Sequence, residues 1–254
     1  MGRRLLLLSN STCPGQSYCH WCTPIIDKFL DSGIKDILFI PFAAVTISWD
    51  EYRDKVAGAL QRFNVLGIHK EPDMIEAINK AQVICIGGGN SFNLLHKLHE
   101  YKLLDIIKKR VVNDGVPYIG WSAGSNVACP DIRTTNDMPI ISPSSHSALD
   151  LFPFNINPHY TEKTIPNHGG ESRKDRLNEA FAVKSHPIIA LPEGTGIKVE
   201  NDKFQFFRGD LPEFLPLIVK VWKKGKNGEL EILEIPLEQH NSDWKTFDDF
   251  DSKN

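Results

Sequence analysis

The chain has 254 residues, 41% of them hydrophobic and 24% charged, with a formal net charge of −3. That length supports a sizeable buried core in one large domain or two small ones, and the composition is that of a soluble globular protein. With no net basic charge, nucleic acid is not an expected partner.

Arg3-Arg4 precedes the apolar run Leu5 to Leu8, which meets Ser9-Asn10-Ser11. Four apolar residues are too few for a signal peptide, so the run reads as a first core strand. Met1-Gly2 lacks a Ser or Thr at position 6, so the myristoylation pattern fails. No apolar segment is long enough to span a bilayer, and a cytoplasmic protein that binds no membrane is expected. Cys19-His20-Trp21-Cys22 has C-x-x-C spacing, but no second cysteine pair completes a zinc site, so neither metal nor cofactor is expected.

The first half alternates two periodicities. Residues 5–9, 36–41, 64–68 and 82–86 read as strands, and 23–31, 49–62 and 72–79 as helices, with Pro24 and Pro72 in first turns and Gly33 and Gly67 as helix stops. This rhythm implies a doubly wound, mainly parallel α/β sheet flanked by helices, in which ligands bind beyond the carboxyl ends of strands.

Two strand ends carry chemistry. Val83 to Ile86 runs into Gly87-Gly88-Gly89-Asn90-Ser91. A dinucleotide loop would need glycine where Phe92 stands, and no G-K-[ST] follows. The loop is read as presenting backbone N–H groups, with Gly88 or Gly89 as one donor of an oxyanion hole. The second end is Gly120-Trp121-Ser122-Ala123-Gly124, a match to G-x-S-x-G after the apolar residues Val116, Tyr118 and Ile119. Glycines two residues either side of the serine suit a sharp strand-to-helix turn that exposes the hydroxyl, with the Ala123 N–H as the other oxyanion donor.

Beyond the elbow, residues 125–128 suit a short helix and 134–139 a polar loop. Residues 152–158 form an extended segment delivering His159, and 171–183 read as a helix. The buried strand 187–191 ends at Pro192-Glu193-Gly194. From Lys203 the Phe-rich and Val-rich runs suggest antiparallel strands closing the sheet. Residues 1–240 are expected to form a single domain, and the acidic, polar tail 241–254 to fray. A serine nucleophile needs a base; the histidines in loops after the elbow are His146, His159 and His168, and the residues alone leave the choice open.

The runs Gly87-Gly88-Gly89-Asn90, Gly120-Trp121-Ser122-Ala123-Gly124-Ser125, Thr134-Thr135-Asn136-Asp137-Met138-Pro139, Asn157-Pro158-His159-Tyr160-Thr161, Gly170-Glu171-Ser172-Arg173 and Leu191-Pro192-Glu193-Gly194 resemble peptidase E. Those are α-aspartyl dipeptidases of the serine-peptidase family that also includes cyanophycinase. The resemblance implies an α/β fold related to class I glutamine amidotransferases and hydrolysis of dipeptides with an unblocked N-terminal aspartate. It implies Ser122 as nucleophile and His159 as general base, with Glu193 or Asp137 as the acid beside the histidine. It also implies Arg173 as the residue binding the aspartyl carboxylate, with Asn90 a further substrate contact. A planar guanidinium makes two parallel bonds to a carboxylate, so the Arg173 role is chemically sound. Between the two acids, Glu193 is favoured, because Ser122 also emerges at a strand's carboxyl end and those ends line one edge, and because a rigid strand end fixes a histidine better than a loop does. The nearest alternative is a cyanophycinase-like β-aspartyl peptidase, and a catalytically inactive metabolite-binding module of the same fold is another. An α/β-hydrolase esterase fits poorly, because Ser122 and His159 are too close in sequence for its intervening elements. The sequence leaves monomer or dimer open.

Overall fold

The leucine run forms the central strand β1 (Arg4–Leu8), its four leucines fully buried because helices cover both faces of a parallel sheet. In this computed structural model residues 2–164, 167, 169–184, 186–211, 217–237 and 241–250 are described. In chain order follow α1 (Thr23–Phe29), β2 (Asp36–Ile40), α2 (Trp49–Ala59), β3 (Asn64–Gly67), α3 (Met74–Lys80), β4 (Ile84–Ile86), α4 (Ser91–Glu100), α5 (Leu104–Val112), β5 (Tyr118–Trp121) and α6 (Ala123–Val127). The rest of the chain gives β6 (Asn155–Asn157), α7 (Arg173–Lys184), β7 (Ile188–Ala190), β8 (Thr195–Glu200), β9 (Lys203–Arg208), β10 (Ile218–Lys224), β11 (Leu230–Pro236) and β12 (Lys245–Thr246). Among the described residues no helix is long and apolar enough to cross a membrane.

The main sheet has the order β12-β9-β8-β1-β5-β4-β2-β3. Strands β1 to β5 run parallel, and β8, β9 and β12 add an antiparallel flank. The mixed α/β architecture with a mainly parallel sheet is therefore as expected. Because β5 lies between β1 and β4, the ends carrying Ser9-Asn10, Ser122 and Gly87-Gly88-Gly89 stand side by side.

A second sheet, of order β11-β10-β7-β6, was not anticipated. Strands β10 and β11 do not close the main sheet; they pair with each other and, through β10, with β7. Strands β6 and β7 are parallel neighbours, so the segments after them, which carry His159 and Glu193, are neighbours too. Helix α7 lies on this sheet through a small apolar cluster of Leu177 and Phe181 with Tyr160, Ile188 and Trp222, which seats Arg173 at the helix start.

Local corrections follow from capping and packing. Pro72 precedes α3, which Asp73 caps by accepting the N–H groups of Ile75 and Glu76. Gly67 ends β3 rather than a helix, and α2 stops at Ala59. The segment expected to fray does not do so over residues 241–250: β12 pairs with β9, and Phe250, 3% exposed, joins Phe154, Phe204 and Phe247 in an aromatic cluster. Polar composition hid two phenylalanines, Phe247 and Phe250, that have a hydrophobic partner surface. Residues 251–254 lie outside the described part.

Candidate active site

The turn after β5 is tight. A Cβ on Gly120 would come 2.5 Å from the Gly124 carbonyl oxygen, and one on Gly124 would run into the Ile86 carbonyl. Only glycine lets α6 start this close to the sheet. Between them Ser122 sits at φ 53°, ψ −112°, a region that costs a non-glycine residue of the order of 1–3 kcal/mol. Its N–H is held by the Leu8 carbonyl at 3.1 Å, and Ser125 Oγ donates to Leu8 and Gly120 carbonyls at 2.7 and 2.9 Å.

His159 also has positive φ, 54°, and both its backbone N–H and its carbonyl are hydrogen-bonded. Its N–H donates to Ser9 Oγ at 2.9 Å, and Ser9 Oγ donates on to the Leu191 carbonyl at 2.9 Å. Its carbonyl accepts from Arg173 Nη1 at 2.7 Å. Pro158 accepts from Asn136 Nδ2 at 2.7 Å, and Tyr160 N–H donates to Leu191. So constrained, the imidazole places Nε2 2.9 Å from Ser122 Oγ and Nδ1 3.0 Å from Glu193 Oε1. A carboxylate only accepts, so Nδ1 carries the proton and Nε2 is free to take one from the serine. The hydrogen bond from His159 holds the Glu193 carboxyl below the usual range against partial burial, and Arg173 adds to the effect.

His159 thus follows β6 of the second sheet, whereas Glu193 lies in the turn from β7 of that sheet into β8 of the main sheet. Gly196 of β8 pairs with Leu8 at the carboxyl end of β1, on the edge where Ser122 emerges. Ser9 and Asn10 at the end of β1 join the two sheets: Asn10 Oδ1 accepts the Gly194 N–H at 2.8 Å and so fixes the turn that carries Glu193. Both residues are buried polar groups that sequence reading passed over. The available signal was two polar residues directly after a wholly apolar strand, at a carboxyl end.

Asp137 is not beside His159. Its Oδ2 accepts from Ser91 N–H at 2.7 Å and Thr135 Oγ at 3.0 Å, which ties the polar loop to the start of α4. It still lines, with Arg173, Ser122, Asn126 and His159, a cleft of about 100 Å³. Arg173 is half-buried there, and burial and Arg176 lower its pKa while Glu193 opposes them. Asn90 corrects an expectation: Oδ1 caps α4 by accepting the Asn93 N–H at 3.0 Å, and Nδ2 donates to Met138 at 2.9 Å. Both ends of its amide serve the loops rather than the cleft. The N–H groups of Gly88, Gly89 and Ala123 have no hydrogen-bond partner among the described residues. Of the other loop histidines, His146 packs edge-on against Phe92, and His168 lies outside the described residues.

A serine on a strained strand-to-helix turn, its hydroxyl on an imidazole that a carboxylate orients, is an arrangement suited to acyl transfer, and the class it defines is a serine hydrolase. The comparisons narrow the class. The model of peptidase family S51 matches residues 5–207. The chain is 51% identical to peptidase E of Nostoc sp. over 81% of this chain and 86% of that protein. It is 50% identical to peptidase E of Salmonella paratyphi A over 78% and 86%. The crystal structure of a peptidase from an acI-B1 Actinobacterium shares the fold, with a TM-score of 0.67 at 18% identity over 97% of this chain and 98% of that one. The chain belongs to peptidase family S51 and is a serine peptidase.

Proposed function

We propose that this chain is a cytoplasmic dipeptidase that removes an unblocked N-terminal aspartate, with Ser122 as nucleophile, His159 as general base and Glu193 as its partner. The observation that carries the specificity is the cleft beside Ser122, which is small enough for one residue and lined by both a cation, Arg173, and an anion, Asp137. An aspartyl residue at a free N-terminus offers the complementary pair, a carboxylate for Arg173 and an ammonium for Asp137. The Oδ1 of Asp137 has no partner among the described residues, which leaves it available for that ammonium.

Ser122 Oγ attacks the aspartyl carbonyl as its proton passes to His159 Nε2. Glu193 keeps the Nδ1 proton in place and stabilises the imidazolium. The tetrahedral oxyanion is received by the Ala123 N–H and by Gly88 or Gly89. His159 then protonates the departing amine, and water repeats the cycle on the acyl-enzyme.

Arg173→Met tests the reading. Losing one partner of a desolvated ion pair costs about 2–5 kcal/mol, so kcat/KM for Asp-Leu falls by roughly 30- to 5,000-fold. Discrimination against Asn-Leu falls with it, which separates carboxylate binding from the bond to the His159 carbonyl, a contact both substrates share. An unchanged Asp-Leu to Asn-Leu ratio means that the carboxylate is bound elsewhere. N-acetyl-Asp-Leu should not be cleaved, because a blocked amine leaves Asp137 unpaired.

A further inference from the structure

Tyr52, on α2 and far from Ser122 in sequence, has a hydroxyl whose bonding is fully determined. It is buried, at 5% exposure. Its oxygen receives the indole N–H of Trp121 at 3.1 Å, and Tyr18 donates to it at 3.4 Å. An indole nitrogen can only donate, so the Tyr52 proton goes to its remaining partner, the Gly88 carbonyl oxygen at 2.9 Å. Burial pushes the Tyr52 phenol up to about 12, so it remains a donor at any working pH.

That bond fixes more than a carbonyl. There is no cis peptide bond among the described residues, and in a trans peptide the C=O of one residue and the N–H of the next point in opposite directions. Gly88 C=O turned into the core towards Tyr52 therefore turns the Gly89 N–H outward. Gly88 itself abuts the serine: a Cβ there would lie 3.0 Å from Ser122 Cβ and 3.1 Å from Trp121 Cδ1. Gly89 is exposed, has φ +136°, and its N–H is unpartnered among the described residues. Only glycine adopts that φ without strain, so the loop is chemically free to flip this peptide, and something must hold it. Trp121 immediately precedes Ser122, so the chain Trp121–Tyr52–Gly88 links the elbow to the glycine loop.

We infer that Tyr52 is a positioning residue for the reaction: by holding the Gly88 carbonyl it presets the Gly88–Gly89 peptide so that Gly89, not Gly88, supplies the second oxyanion donor. The inference rests on Ser122 as nucleophile; full activity of Ser122→Ala would remove that premise, whereas the experiments below address Tyr52 alone.

Tyr52→Phe keeps the ring and deletes the hydroxyl. Loss of one oxyanion donor costs about 10²- to 10³-fold in kcat, and a donor freed to reorient loses part of that, so kcat for Asp-Leu falls about 10- to 100-fold. KM stays near the wild-type value, because the donor acts on the tetrahedral state and not on the bound dipeptide. An aspartyl aldehyde provides a second readout. Its carbon bonds to Ser122 Oγ as the C=O π pair moves onto oxygen and the serine proton passes to His159, so it reports oxyanion binding directly. Its affinity falls by the same factor as kcat, while inhibition by free aspartate is unchanged. A folded Tyr52→Phe enzyme with wild-type kcat, or one whose kcat falls while aldehyde affinity holds, overturns the inference. Should the variant not fold, wild-type enzyme labelled with ¹⁵N-glycine decides the matter. The Gly89 amide proton moves downfield when the aldehyde binds; movement of Gly88 instead, or of neither, overturns the assignment.

Discussion

Ser122 and His159 share an uncommon property: both are non-glycine residues at positive φ, and their reactive atoms meet at 2.9 Å. Such backbone persists only where the surroundings over-determine it. For His159 the determinants are Ser9 on its N–H and Arg173 on its carbonyl, so the imidazole is positioned by its main chain as well as by Glu193. Glu193 is 44% exposed, which weakens a purely electrostatic role, yet its hydrogen bond fixes the imidazole tautomer. Glu193→Gln preserves the size of the side chain and removes the charge that stabilises the imidazolium. In related triads this change costs up to about 10⁴-fold in kcat. Steady-state rates on Asp-Leu check it; a loss smaller than tenfold would show that Glu193 is a bystander and return attention to Asp137.

At the scale of elements, the device that matters is the short strand β6. It forms an edge of the second sheet, and side chains take the place of a further strand: Ile156 accepts from Asn126 Nδ2 and Thr134 Oγ, each at 2.7 Å. Asn157 Nδ2 donates to the Thr134 carbonyl and to Asn136 Oδ1, each at 2.8 Å. Asn157→Ala strips the buried Thr134 carbonyl and the more exposed Asn136 Oδ1 of their donor, at a cost of about 1–3 kcal/mol. Urea unfolding checks the figure, and a change below half of the lower bound would mean that β6 is held by its strand pairing alone. This layer also marks where sequence reading stops. Gly120 to Gly124 and Gly87 to Gly89 were legible because a turn's chemistry lies within five residues. That His159 follows a strand of a second sheet was not legible, because periodicity reports that a segment is a strand and not which strand it pairs with. Ser9 was missed because its contact with His159 spans 150 residues and its hydroxyl looks like any strand-end serine. Tyr52 was missed for the same reason: in sequence it is one apolar position on an amphipathic helix.

For the molecule as a whole, the two sheets are joined around buried polar groups, and one of them, Asp131, is expected to contribute to its response to acid. Asp131, 5% exposed, accepts from Lys184 Nζ of α7 at 2.6 Å and Arg133 Nη1 at 2.8 Å, and its Oδ1 receives Asn155 Nδ2 of β6 at 3.0 Å. Burial alone would raise its pKa, but the Lys184 bond and the Arg133 N–H outweigh burial and hold it below the usual aspartate range. A lowered folded-state pKa means that the stabilisation is complete above the unfolded value, about 3.9, and is lost as pH falls through the depressed one. Asp131→Asn is therefore less stable at neutral pH and declines less steeply between about pH 5 and about pH 2, as urea midpoints measured across that range would show. Parallel curves would place the acid sensitivity elsewhere. The central claim, that this sheet pair exists to activate one serine for cleavage after an N-terminal aspartate, has a more direct test. Asp-Leu hydrolysis by wild-type enzyme and by Ser122→Ala, measured side by side on protein of matched thermal stability, should differ by roughly six orders of magnitude in kcat. Hydrolysis by Ser122→Ala within tenfold of the wild type would contradict the account, because Ser122 would then be no more than a turn residue.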